Sequence, residues 1–130
     1  MNLVELELKE LDVKKDLPVL NIFSDGVYSR TIFMPAGTIV VGKKHKTKHL
    51  NMIMSGKARL WMDGDIRDVM APDIIESKEG CRKILYIVED MHWTTIHPTD
   101  SQDIEEIEEM IIDNEEVLNI ELTSIIKELK

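Results

Sequence analysis

Residues 37–56 read Gly37-Thr38-Ile39-Val40-Val41-Gly42-Lys43-Lys44-His45-Lys46-Thr47-Lys48-His49-Leu50-Asn51-Met52-Ile53-Met54-Ser55-Gly56. A β-branched run opens the stretch, a basic heptapeptide with two histidines fills its middle, and an alternating run closes it at Gly56. On a strand, side chains alternate between faces. His49, Asn51 and Ile53 therefore share one face, and Leu50, Met52 and Met54 the other. Polar groups on an inward face are costly unless satisfied, so a histidine and an asparagine on one face point to a site.

Working outward, the pattern remains that of strands. Val27 to Met34 is rich in β-formers and stops at Pro35-Ala36-Gly37, and Thr38 to Val41 follows. Leu50 to Ser55 is expected to end at Gly56. Ala58 to Met62 and Ile66 to Met70 flank Asp63-Gly64-Asp65, a hairpin signal. Ile74 and Ile75, Ile84 to Val88 and Trp93 to Ile96 complete seven or eight short strands. Turns every 8–12 residues over about 70 residues predict an all-β sandwich or barrel. Residues 1–26 read as a leader, with a short strand or a helical turn near Val4 to Leu11. Residues 27–98 form the barrel.

Residues 99–130 change period. Ile104, Ile107, Ile111, Leu118, Leu122, Ile125 and Leu129 recur at helical spacing, predicting one amphipathic helix or two hinged near Asp113-Asn114. Thr99 and Gln102 stand at capping-box spacing. Residues Ile104, Ile107, Ile111, Asn114, Leu118 and Ile125 also fit heptad a and d positions, which predicts self-association unless the stripe lies on its own barrel. Met52 and Met54, pointing away from the site, are expected to meet a second sheet or a partner subunit. The expected assembly is a homo-oligomer through that face and the C-terminal helix.

The quoted segment resembles the first motif of the cupin superfamily of small jelly-roll barrels, G-x5-H-x-H-x3-E-x6-G. Gly37, His45 and Gly56 fall on its positions. Lys43 stands at the first histidine and His49 at the glutamate. The second motif, G-x5-P-x-G-x2-H-x3-N, matches at Gly80. Pro72, Lys78, Lys83 and Ile87 replace its other residues. The resemblance covers residues 27–97 and implies a cupin-type jelly roll, a double-stranded β-helix barrel, with a C-terminal helix added and a leader, residues 1–26, that could cross to a partner as a swapped strand. The chain is also similar to short single-domain cupin proteins of tailed bacteriophages.

Two chemistries remain open, a metal site and a cationic ligand pocket, and the pocket is the preferred reading because Lys43 and Lys83 replace ligands and no general base is evident. Three neutral imidazoles, His45, His49 and His97, could hold one divalent Fe, Zn, Mn or Ni ion, as in a metal-dependent oxygenase or isomerase. His97 counts because Trp93, Thr95 and His97 share a face. Alternatively Lys43 and Lys83, at two ligand positions, join His45, His49, Asn51 and His97 in a cationic pocket for a small anion or nucleotide. In a phage setting such a protein would sequester a host signalling nucleotide. Its binding would strengthen near pH 6.5 as the histidines gain charge.

The 130 residues have a formal charge of −9, a poor basis for binding duplex DNA. Residues 1–99 carry 14 acidic and 14 basic side chains, and residues 100–130 carry 11 and 2. The imbalance thus belongs to the tail and the body is neutral. A single cysteine, Cys81, excludes an internal disulfide. Met1 to Glu10 does not resemble a signal peptide, and no apolar run approaches the ~20 residues of a bilayer span. A cytoplasmic protein, within the host cell if phage-encoded, is expected.

Overall fold

The computed structural model describes residues 13–14, 17–113 and 119–130. Its strands are β1 (Val13–Lys14), β2 (Val19–Ser24), β3 (Val27–Met34), β4 (Ile39–Val41), β5 (Lys44–His45), β6 (His49–Met62), β7 (Asp65–Met70), β8 (Asp73–Ser77), β9 (Lys83–Pro98) and β10 (Ile112–Asp113). The helices are α1 (Ile104–Ile111) and α2 (Asn119–Leu129).

Two strands are far longer than the sequence pattern suggests. Leu50 to Ser55 and Ala58 to Met62 are halves of β6, and Ile84 to Val88 and Trp93 to Ile96 are halves of β9. The two pair antiparallel along almost their whole length, with register shifts between Ile53 and Ala58. Gly56 therefore bends a strand rather than ending it. Its φ is +91°, and a Cβ there would lie 2.3 Å from the carbonyl oxygen of Asp90. Only a residue without a side chain allows the strands to cross so closely.

The bend divides the barrel into two five-stranded sheets that share β6 and β9. The front sheet has the order β8-β6-β9-β3-β2, and the back sheet β7-β6-β9-β4-β1. Between them lies a core that includes Met34, Ile53, Leu60, Ile87, Met91 and Trp93. The β6–β7 hairpin turns at Asp63 and Gly64, both at positive φ, as a two-residue primed turn requires.

Part of the supposed leader belongs to the barrel. Val19–Ser24 pairs with β3 of the same chain through a tight turn at Asp25-Gly26. Its Pro18 obscured the strand pattern. Residues 1–12, including the strand or helical turn expected near Val4 to Leu11, lie outside the described residues.

Among the described residues the tail forms two helices, with β10 following the first, not one continuous heptad helix. Asp103, not Thr99, caps α1: its carboxylate accepts hydrogen bonds from the backbone N–H groups of Glu105 and Glu106. The Thr99 hydroxyl accepts from Ser101 N–H in a local turn before it. After α1 the chain extends into β10, which pairs with β5. Asn114 and Leu118 lie outside the described residues. Both helices turn their apolar stripe to their own barrel. Ile107 and Ile111 of α1 pack on Tyr28 and Phe23. Leu122, Ile125, Ile126 and Leu129 of α2 seal Ile39, Ile84, Trp61 and Tyr86 on the outside of the back sheet. No described helix is long and apolar enough to cross a membrane.

Gly56→Ala is expected to destabilise the fold by at least about 2 kcal/mol in urea denaturation, through strain and a backbone clash. Gly64→Ala, with φ +97° but open space around the new Cβ, is expected to cost only about 1 kcal/mol of strain. Equal losses would show that the strands do not cross closely at Gly56.

Candidate metal centre

Strand register brings the histidines together. Leu50 pairs with Ile96 and Tyr28 with His97, so His49 and His97 lie side by side on the inner face of the front sheet. His45 arrives from β5, which is held against the barrel mouth by β10. The backbone N–H of Lys46 also donates to the Ile111 carbonyl. His49 and His97 are buried and His45 is half-buried. One ring nitrogen from each lies within 4.8 Å of those of the other two.

The proton positions on His49 follow from its partners. Its Nδ1 lies 3.0 Å from the Thr47 carbonyl, which only accepts. Nδ1 therefore carries the proton, and Nε2 presents a lone pair to the cluster. Two groups converge on that lone pair: His45 Nδ1 at 3.0 Å and Lys83 Nζ at 3.4 Å. His97 Nδ1 is buried with no hydrogen-bond partner.

Burial and mutual repulsion keep these rings neutral. His45 is pushed down to about 2, first by burial, then by His49, Lys83, His97 and Arg30. Burial, followed by His49, Lys83 and Arg30, pushes His97 down to about 4. His49 is also lowered, chiefly by burial, although its bond to Thr47 opposes the shift. The histidines thus stay uncharged near pH 6.5, contrary to the expected gain of charge.

The remaining sequence candidates separate. Lys83, in the position of a cupin histidine, is buried and joins the cluster, and burial lowers its pKa. Lys43 is exposed, on the loop before β5, and is not one of the groups gathered at the triad. Asn51 is buried but fully used. Its Nδ2 donates to the Ile75 carbonyl and the Ser77 hydroxyl, and its Oδ1 accepts from Trp93 Nε1. It is a strut that pins β8 and β9 to β6 beneath the triad, with both amide donors and its carbonyl oxygen already engaged in the core. Trp93 is a core residue, and His92 is a surface residue bonded to Ser55. The sequence reading missed the Thr47 carbonyl, because a backbone acceptor leaves no mark in a pattern of side chains. It also missed Tyr28, whose ring packs 6.4 Å from His97.

The fold is similar to that of solved cupin structures. An RmlC-like cupin protein with a double-stranded β-helix fold from Methanocaldococcus jannaschii superposes with a TM-score of 0.53 at 12% identity, covering 67% of this chain and 84% of that one. The cupin domain of Cnp3 from Schizosaccharomyces pombe gives 0.56 at 17%, covering 78% and 76%. The DMSP lyase DddQ from Ruegeria pomeroyi gives 0.52 at 20%, covering 62% of this chain and 42% of that longer one. No family model matches the sequence, and no curated protein does.

Neutral buried imidazoles bind protons more weakly in the folded than in the unfolded chain. Stability is therefore full above the ordinary histidine pKa and is lost as pH falls below it. His97, at about 4 against 6.5, is expected to cost the metal-free protein about 2 kcal/mol between pH 7 and 5. Urea denaturation in chelator at the two pH values measures this, and equal stabilities would contradict the inward, neutral placement. The chain has the architecture of the cupin double-stranded β-helix.

Proposed function

We propose that this chain is a metal-binding cupin-fold protein whose centre is His45, His49 and His97. The observation that carries the reading is the convergence of three neutral imidazoles on one point, with His49 fixed by the Thr47 carbonyl in the tautomer that presents Nε2. Three nitrogen ligands suit a divalent Fe, Zn, Mn or Ni ion and leave coordination positions open. The unpartnered Nδ1 of His97 fits the same purpose, because a buried ring nitrogen without a partner gains most from a ligand. A divalent ion held there supplies Lewis acidity at the barrel mouth.

The chain's own residues set the terms of binding. His49 holds its lone pair toward the centre. Asn51, through Trp93 and Ser77, fixes the spacing of the strands beneath. Lys83 competes, since its ammonium occupies the His49 lone pair and repels a second cation. The cationic anion pocket preferred from the sequence loses support on two counts: Lys43 is exposed, and the imidazoles resist protonation.

Titration of chelator-treated protein with Co(II) or Zn(II), followed by absorption spectroscopy or calorimetry, tests the reading. One ion per chain is expected, with binding lost in His49→Ala and His97→Ala. Lys83→Met, which keeps the apolar stem and removes the charge, is expected to tighten binding roughly tenfold. No stoichiometric binding by the wild-type chain, or binding indifferent to both histidine variants, would defeat the proposal.

A further inference from the structure

The two charge anomalies of the sequence meet at one place in the fold. The basic run of residues 43–49 supplies β5 and the loop to β6, and the acidic tail supplies α1 and β10. Ile112 of β10 lies opposite His45, and Asp113 opposite Lys44. Lys46 grips the end of α1 twice. Its backbone N–H donates to the Ile111 carbonyl at 2.6 Å, and its ammonium donates to the Glu109 carbonyl at 3.1 Å. On its other side His45 meets the turn at residues 80–81. Its N–H donates to the Cys81 carbonyl at 3.3 Å, and its carbonyl accepts from Gly80 N–H at 2.8 Å. His45 thus sits on a two-residue strand between a turn and the tail. His49 and His97 sit on long strands that are paired with each other and with further neighbours in the front sheet.

We infer that α1 and β10 form a strap that decides whether His45 is a ligand of the metal centre, an inference that rests on the metal reading of the triad. With the strap docked, β5 has a strand on its tail side and three imidazoles converge. With the strap undocked, β5 keeps its bonds to the turn at 80–81 but loses that neighbour, and the centre falls to His49 and His97. The strap docks or leaves as a unit. Eight residues are too few for a helix to hold itself in water, so α1 depends on its contacts. Its buried side chains are Ile107 and Ile111, which pack on Tyr28 and Phe23. Its last turn carries Glu108 and Glu109 and no basic residue, the wrong sign for the negative end of the helix dipole. The compensating cation is Lys46, which stands on the ligand-bearing segment itself. Undocking therefore strips α1 of its C-terminal cation and β5 of its neighbour in one event. The linkage runs both ways: a metal that binds the docked form more tightly favours docking by the same factor.

Zinc binding to the full chain, followed by NMR of isotope-labelled histidine ring nitrogens, tests the inference. Zinc-saturated wild type is expected to show three bound imidazoles, His45, His49 and His97, with His92 unbound. Ile107→Asp, which removes the apolar contact of α1 with Tyr28, is expected to show two, with His45 released, and to weaken zinc binding roughly thirtyfold. Ile107→Val, which keeps that contact, is expected to restore all three. Hydrogen exchange of the unaltered chain gives a second reading that needs no variant. The amides of Ile107 and Ile112 close the first and last turns of α1 on Asp103 and Glu108, and zinc is expected to slow their exchange at least roughly tenfold. If zinc binds through three imidazoles but leaves those amides unprotected, or Ile107→Asp keeps His45 bound, the strap is overturned and the metal centre stands. Release of His97 in place of His45 also overturns it. A wild-type chain that binds no zinc overturns the metal reading, and the strap with it.

Discussion

The site depends on one close crossing, where Gly56 passes over Asp90 and Met91. Strands β6 and β9, 14 and 16 residues long, are paired with each other and must serve two sheets. Both have to bend at the same place. Asp90 and Met91 supply backbone on one side of the bend, and the absence of a side chain at Gly56 makes room on the other. Bending doubles each strand back on itself, which brings its two ends to the same end of the barrel. Lys83 and His97, the first and the penultimate residues of β9, thereby reach the same cluster from opposite sheets, the one against His49 Nε2 and the other beside the His49 ring. A sheet of short strands joined by turns would not bring these residues together.

The chemistry of the cluster follows from its dryness. An imidazole in water accepts a proton near neutrality. Here desolvation, the two neighbouring rings and a buried ammonium all oppose that proton. The result is an excess of cation-seeking lone pairs in a space where the resident cation is a lysine. Two donors share the single lone pair of His49 Nε2, while His97 Nδ1 has none. Such a network is only partly satisfied, and a partly satisfied buried network is costly. The cost is offset by the core beneath it, where Asn51 engages both amide donors and its carbonyl oxygen within the protein.

Much of this was legible in the sequence, because alternation on a strand is a strong constraint. The parity of His49, Asn51 and Ile53 against Leu50, Met52 and Met54 follows from the pleat alone, and the burial pattern along β6 obeys it. The Asp63-Gly64 hairpin was readable for the same local reason. What local pattern could not supply was anything set by contacts distant in the chain. Gly56 reads as a stop when only its neighbours are considered, and as a bend once Asp90 lies across it. Asn51 reads as a ligand by polarity and is a strut once Trp93 and Ser77 are placed. Lys43 and Lys83 occupy equivalent motif positions, but one precedes a strand in an open loop and the other begins a strand whose inner face is closed. The cap of α1 moved from Thr99 to Asp103 because the chain still follows the sheet through Pro98 before it is free to turn.

The tail gains a different meaning from its position. As a number, −9 describes solubility. In the fold, α1 lies over the Tyr28 end of the front sheet, and its continuation β10 pairs with the strand that carries His45. The carboxylates of α1 face outward from that cover, and the Tyr28 hydroxyl pKa is raised chiefly by burial, with Arg30 opposing the shift and Glu108 adding to it. A surface of one sign beside a site concentrates counter-ions there. Here the concentrated ions are cations, and the buried groups they would meet are neutral nitrogen donors. The acidic outer cover and the uncharged inner ligands therefore favour the same kind of guest, and the positive charges of Lys83 and Arg30 oppose it.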